Sequence, residues 1–150
     1  MSKLTRYRVF PMDLFRICQA KKVTLREFEA QKKKGSRSFD FILNEDKLIH
    51  PSVGETFVRP NGLSLRPRGI NMWDILSTWA GRGKTNVLLI PQGTLIPEDL
   101  VLIHEHGDHY SLQTTISRTP RDLNASLTKF MDPFEMMTKE EYFERYPLTE

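Results

Sequence analysis

The densest grouping of reactive side chains is His104-Glu105-His106-Gly107-Asp108-His109, three imidazoles and two carboxyl groups within six positions. The spacing is one that holds zinc in metal-dependent hydrolases, where a centre draws on four or more ligands, some from far along the chain. No histidine follows His109, and the later Asp residues are Asp122 and Asp132. The chain beyond His109 is too short for the second half of such a site. The string is therefore expected to be the polar turn of a hairpin, with no metal.

Past that turn, His109–Ile116 alternates. Tyr110, Leu112, Thr114 and Ile116 share one face, and His109, Ser111, Gln113 and Thr115 share the other. A wholly polar strand face is either the wet side of an antiparallel sheet or the lining of a cleft for a sugar, amide or phosphate. Ser64 and Arg66 likewise share the polar side of a short strand whose other side is Leu63 and Leu65. Arg8 and Arg66 are the arginines best placed on strands, where a fixed backbone lets the planar guanidinium meet an anion at small ordering cost. With the polar strand they form a candidate anion-and-ribose site.

The elements that must position these groups follow from pattern and caps. Leu4–Phe10 alternates and stops at Pro11, which predicts a strand with Arg6 and Arg8 on one face. Thr24-Leu25-Arg26-Glu27 is a capping box that opens a helix ended by Gly35. Short strands are expected at 39–43 and 55–58, and Asn61-Gly62 marks a turn before Leu63-Ser64-Leu65-Arg66-Pro67. Asn71 precedes a stripe of Met72, Trp73, Leu76, Trp79 and Ala80, with Asp74 in the first turn, which predicts a helix of about ten residues.

Val87–Ile90 reads as a buried strand, and Leu100–His104 with Tyr110–Ile116 as a hairpin. Thr119-Pro120 starts a helix carrying Leu123, Leu127 and Phe130, and a second capping box, Thr138 to Glu141, starts the last one. Helices at both ends with strands between them predict a compact α+β domain over 1–150, with a core of about 4–131 and an acidic helix at 138–146.

Composition bounds the function classes. The 150 residues carry 22 Lys+Arg and 19 Asp+Glu, a formal +3, with 39% hydrophobic positions, so one globular domain is expected. Cys18 is the single cysteine, which excludes an internal disulfide and zinc sites on paired cysteines. No run of about 18 apolar residues is present, and no signal-peptide pattern opens the chain, so the expected location is cytoplasmic, with no membrane partner. Residues 1–37 hold eleven Lys/Arg and three Asp/Glu, whereas 132–150 hold two and six. The basic run Lys32-Lys33-Lys34-Gly35-Ser36-Arg37 is read as a solvated helix end rather than a nucleic-acid contact.

Several blocks together resemble a known family. They are Pro60-Asn61-Gly62-Leu63-Ser64-Leu65-Arg66-Pro67, Ile90-Pro91-Gln92-Gly93-Thr94 through Pro97-Glu98-Asp99-Leu100, His104-Glu105 with Asp108-His109-Tyr110-Ser111-Leu112-Gln113, and Leu123-Asn124. The family is the ADP-ribosyltransferase-like toxins founded on the second exported toxin of a bacterial type VI secretion system, and the chain looks closer to the fungal members. The resemblance runs from Tyr7-Arg8 to about Met131.

The resemblance implies a split β-sheet with flanking helices around an NAD-binding cleft. It also implies transfer of ADP-ribose to a macromolecular acceptor, toxicity in a cytoplasm and a possible immunity protein. Carried over residue by residue, Arg8 matches the first-strand Arg or His, and Ser64 the serine beside the nicotinamide ribose, with Arg66 as a nearby anion partner. The usual glutamate is missing where the segment before Val87 reads Lys84-Thr85-Asn86, which leaves Asn86 or Gln113 to orient the ribose hydroxyls. The implied catalytic set is Arg8, Ser64, His109 and Gln113. The implied NAD contacts are Tyr7, Arg8, Ser64, Arg66, Asn86 and Tyr110. The missing glutamate keeps open a degenerate NAD-fold protein that acts by binding a partner; metal-dependent hydrolysis is the least favoured class.

Overall fold

A computed structural model describes residues 5–18, 46–51, 62–78 and 85–148. The helix expected at 24–35, the strands at 39–43 and 55–58, and the basic run 32–37 lie outside the described residues.

Among the described residues seven strands and three helices follow in order: β1 (Thr5–Tyr7), β2 (Leu14–Cys18), β3 (Leu63–Leu65), α1 (Ile70–Thr78), β4 (Asn86–Ile90), β5 (Leu100–His106), β6 (His109–Thr114), α2 (Pro120–Met131), β7 (Met136–Thr138) and α3 (Lys139–Arg145). The strands form two antiparallel sheets, ordered β1-β5-β6-β3 and β2-β4-β7. The sheets meet at one bridge, where Phe15 N donates to Arg66 O (2.8 Å) and Arg66 N to Phe15 O (3.0 Å). This is the split-sheet α+β architecture that the resemblance implies.

Alternation along the hairpin assigns its faces. The register sets Leu102 opposite Leu112, and Leu112 opposite Leu63, so these side chains share a face. They bury against Leu14, Leu88 and Ile90 of the smaller sheet and Leu123, Leu127 and Met131 of α2. A second core lies on the other side of the smaller sheet, where Phe15, Val87 and Met137 meet Met72 and Leu76 of α1 and Tyr142 of α3. The acidic terminal helix is thus built into a core, through β7 and Tyr142.

The caps form as their sequences predict. Thr119 Oγ1 accepts from Asp122 N (3.1 Å), with Pro120 in the first turn of α2. In α3, Thr138 Oγ1 accepts from Glu141 N (3.1 Å), and Glu141 Oε1 accepts from Thr138 N (3.2 Å).

Other boundaries move. β1 ends at Tyr7 rather than at Phe10, because Arg8 bends and its carbonyl accepts from Ile96 N. α1 begins at Ile70, which places Asn71 inside the helix and Asp74 beyond its first turn. β6 stops at Thr114, whose hydroxyl donates to Ile116 O, and Ile116 is exposed rather than packed. β2 and β7 have no counterpart among the predicted elements.

Candidate active site

The second face of the larger sheet is polar along β3 and β6 and is buried at Ser111 and Gln113, which excludes the wet-face reading there. Ser111 and Gln113 are 1% and 2% exposed. The register sets Ser64 opposite Ser111, and Ser111 opposite Ile103, so the polar sides of β3 and β6 are contiguous.

A β-bulge completes the row. His104 pairs with Tyr110 and His106 with His109, so Glu105 is an extra residue on β5. A bulge leaves its residue out of the ladder and re-aims its side chain. Glu105 turns beneath His109, with its side chain only 2% exposed and Oε1 2.8 Å from His109 Nδ1. The other ring nitrogen, Nε2, lies 3.0 Å from Ser64 Oγ. Hydroxyl, imidazole and carboxyl group therefore stand in line across three strands.

The arrangement is only partly satisfied. Glu105 Oε1 and His109 Nδ1 are buried, and neither makes a well-directed hydrogen bond, even to the other. Gln113 donates from Nε2 to Ser111 Oγ (3.1 Å), and its Oε1 is buried with no partner. Each buried polar atom left unpaired costs about 1–3 kcal/mol. A cluster of them on one sheet face marks a place built for something other than stability.

The flanks are charged. Arg66 pairs with Asp108 at 2.5 Å, both half-buried beside the hairpin turn. Arg16 of β2 is buried and donates to the Ser64 carbonyl (3.3 Å), which fixes the smaller sheet against β3 at the serine itself.

A family model described as Tse2 ADP-ribosyltransferase toxin matches residues 12–142. The chain belongs to the Tse2 ADP-ribosyltransferase toxin family. No curated protein and no solved structure matches it. For a Tse2-family toxin the substrate class is NAD and the target a macromolecule. Ser64, Glu105, His109 and Gln113 all fall within the match, whereas Tyr7 and Arg8 precede it.

Of the residues singled out from the sequence, the fold gathers Ser64, His109 and Gln113 on the polar face with Arg66 beside them. The others stand elsewhere. The Arg8 guanidinium donates to the carbonyls of Ile96 (3.0 Å), Pro97 (2.7 Å) and Leu100, bracing the turn that leads into β5. Leu100 is five positions before Glu105, about 17 Å along a strand. Tyr110 points into the core, stacked on His104 at 4.4 Å and tilted against Tyr7 at 6.5 Å. Burial, reinforced by Tyr7 and Asp108, raises the Tyr110 phenol above its usual range. Asn86 is buried in the smaller sheet between Cys18 and Thr138.

The imidazoles of the hairpin also diverge. His104 Nε2 sits 2.6 Å from Gly107 O, His106 stacks on His109 at 5.3 Å, and among the described residues no three His, Cys, Asp or Glu side chains converge as a metal site would require. Glu105 and Arg16 are the site residues that sequence reasoning passed over. Glu105 was legible only as part of the histidine string, although it continues the Val101-Ile103 face of β5.

Proposed function

We propose that this Tse2-family toxin binds NAD on the polar face of the larger sheet and transfers its ADP-ribosyl group to a macromolecular acceptor in the cytoplasm of a target cell. The reading is carried by the buried carboxyl group of Glu105, 2.8 Å from the imidazole that reaches Ser64. NAD supplies a ribosyl carbon that becomes positively charged as its bond to nicotinamide breaks. A carboxyl group preorganised in a buried site stabilises such charge without reorganisation.

Ser64, backed by His109, holds a ribose hydroxyl, and the unpartnered Gln113 Oε1 accepts a further hydrogen bond. We assign the pyrophosphate to Arg66 rather than Arg8, because the Arg8 donors are spent on three carbonyls. Tyr110 and Tyr7 support the hairpin from behind, and Asn86 has no direct role in this reading.

The partner-binding alternative rested on the glutamate missing at 84–86. In this reading Glu105 supplies a carboxyl group from another strand, which favours transfer over partner binding. Incubation with adenylate-labelled NAD and a cell lysate tests the proposal. Wild type should label a macromolecule and release nicotinamide, and Glu105→Gln should be slower by about 10²–10³-fold, as for loss of one preorganised charge-stabilising group. A protein that kills cells yet neither labels lysate nor releases nicotinamide would return the case to partner binding.

A further inference from the structure

Ser64, His109 and Glu105 have the connectivity of a nucleophile, a base and a group that orients the base. Ser64 Oγ is 3.0 Å from Nε2 of His109, and Glu105 Oε1 is 2.8 Å from Nδ1 of the same ring. A serine that only oriented a ribose would need no base behind it. The backbone of Ser64 is also held on two sides, by the pairing of β3 with β6 and by Arg16 on its carbonyl, so the position that carries its hydroxyl is fixed. Ser64 is half-buried, and the Glu105 carboxyl group behind His109 is buried.

We infer that Ser64 is itself an acceptor: the toxin ADP-ribosylates its own Ser64, and the attached group closes the site that made it. The inference rests on NAD binding at this face. Ser64 Oγ forms a bond to the anomeric carbon of the nicotinamide ribose, and the glycosidic bond to the pyridinium nitrogen breaks. Nicotinamide leaves neutral, taking the bonding pair, and the hydroxyl proton passes to His109 Nε2, leaving an imidazolium beside Glu105. NAD and Ser64 are the sole reactants, and no oxidant or reductant enters. The product is a stable O-glycoside, so the modification accumulates to one group per chain.

The test is peptide mapping by mass spectrometry of the purified wild-type protein after incubation with NAD, with nicotinamide release followed in the same samples. The expected result is ADP-ribose on the peptide containing Ser64, approaching one per chain, with labelling of a lysate declining as the modified fraction rises. His109→Asn should slow the modification at least tenfold. Ser64→Ala should carry none, and Ser64→Thr, which keeps a hydroxyl, should recover part of it. Nicotinamide release with lysate labelling and an unmodified Ser64 would overturn the inference and leave the proposed function standing. No nicotinamide release at all would overturn both.

Discussion

Gly62→Ala should both destabilise the protein and distort the site, and the size of the effect follows from three contacts. A Cβ at Gly62 would lie 2.4 Å from the carbonyl oxygen of Leu112, 2.8 Å from Gln113 Cγ and 2.9 Å from Ser111 Oγ, where ordinary contact begins at 3.4 Å. The worst overlap requires about 1 Å of movement, and the obstructing atom is backbone. Leu112 is paired with Leu102 on one side and Leu63 on the other, so its carbonyl cannot retreat without disturbing two ladders.

Overpacking of this kind costs about 1–3 kcal/mol, and an unyielding neighbour puts the cost near the upper end. The usual gain from removing a glycine, about 0.4–1 kcal/mol, offsets part of it at best. The net loss of about 2–2.5 kcal/mol lowers Tm by roughly 4–10 °C in a domain of this size. Scanning calorimetry with a urea titration measures both quantities. NAD-dependent labelling should fall as well, because Ser111 and Gln113 are two of the three groups displaced. A Gly62→Ala protein melting within about 1 °C of wild type would refute the close approach and the placement of the polar face built on it.

Three further outcomes are expected. Asp99 accepts from Arg118 and Ser126, both at 2.9 Å, and although burial alone would raise its pKa these bonds hold it below the ordinary carboxyl value of 3.8. The stability it confers is complete above about 3.8, the unfolded value, and is lost as pH falls through the lower folded value, so Asp99→Asn should flatten the acid limb of a stability-pH curve and cost about 1–2 kcal/mol at neutral pH. Burial, reinforced by Tyr146, pushes the Tyr142 phenol up to about 12. Its stabilising neutral form is kept below the unfolded value near 10 and lost as pH rises toward 12, so a spectrophotometric titration should show a late phenolate that Tyr142→Phe removes. Thr138→Ala breaks the α3 capping box and should cost about 1 kcal/mol in urea denaturation, with little change in NAD-dependent labelling.

Much of the larger sheet was legible because β6 alternates, β5 opens on the continuous apolar run Leu100–Ile103, and Gly107, at φ 51°, supplies the left-handed turn. The caps at Thr119 and Thr138 were legible for a different reason: a side-chain hydroxyl and a backbone N–H three residues on leave one local solution. β2 was not. Leu14-Phe15-Arg16-Ile17-Cys18 carries apolar groups toward both cores, with Phe15 in one and Leu14 and Cys18 in the other, so no period-2 signal separates its faces. β7, at three residues, is too short for any pattern and exists because β4 offers it an edge.

At the site, Ser64, His109 and Gln113 could be grouped by alternation alone. Whether their face was wet or buried depends on what covers the sheet, which no strand encodes in itself. Arg8 shows the opposite failure. Its residue type and its neighbours suit an anion site, and three main-chain carbonyls take the guanidinium instead.

The bulge at Glu105 separates what the chain needs to fold from the chemistry proposed for it. Because His104 pairs with Tyr110 and His106 with His109, the codon between them encodes a residue that the ladder does not count. Deleting it joins two rungs that are already in register, leaving an uninterrupted hairpin with its core leucines in place and its acid gone. Under the proposed function that one-residue excision yields an inert copy of the molecule's own surface, suited to raising antibodies or to capturing whatever recognises that surface without harm to the cell that makes it.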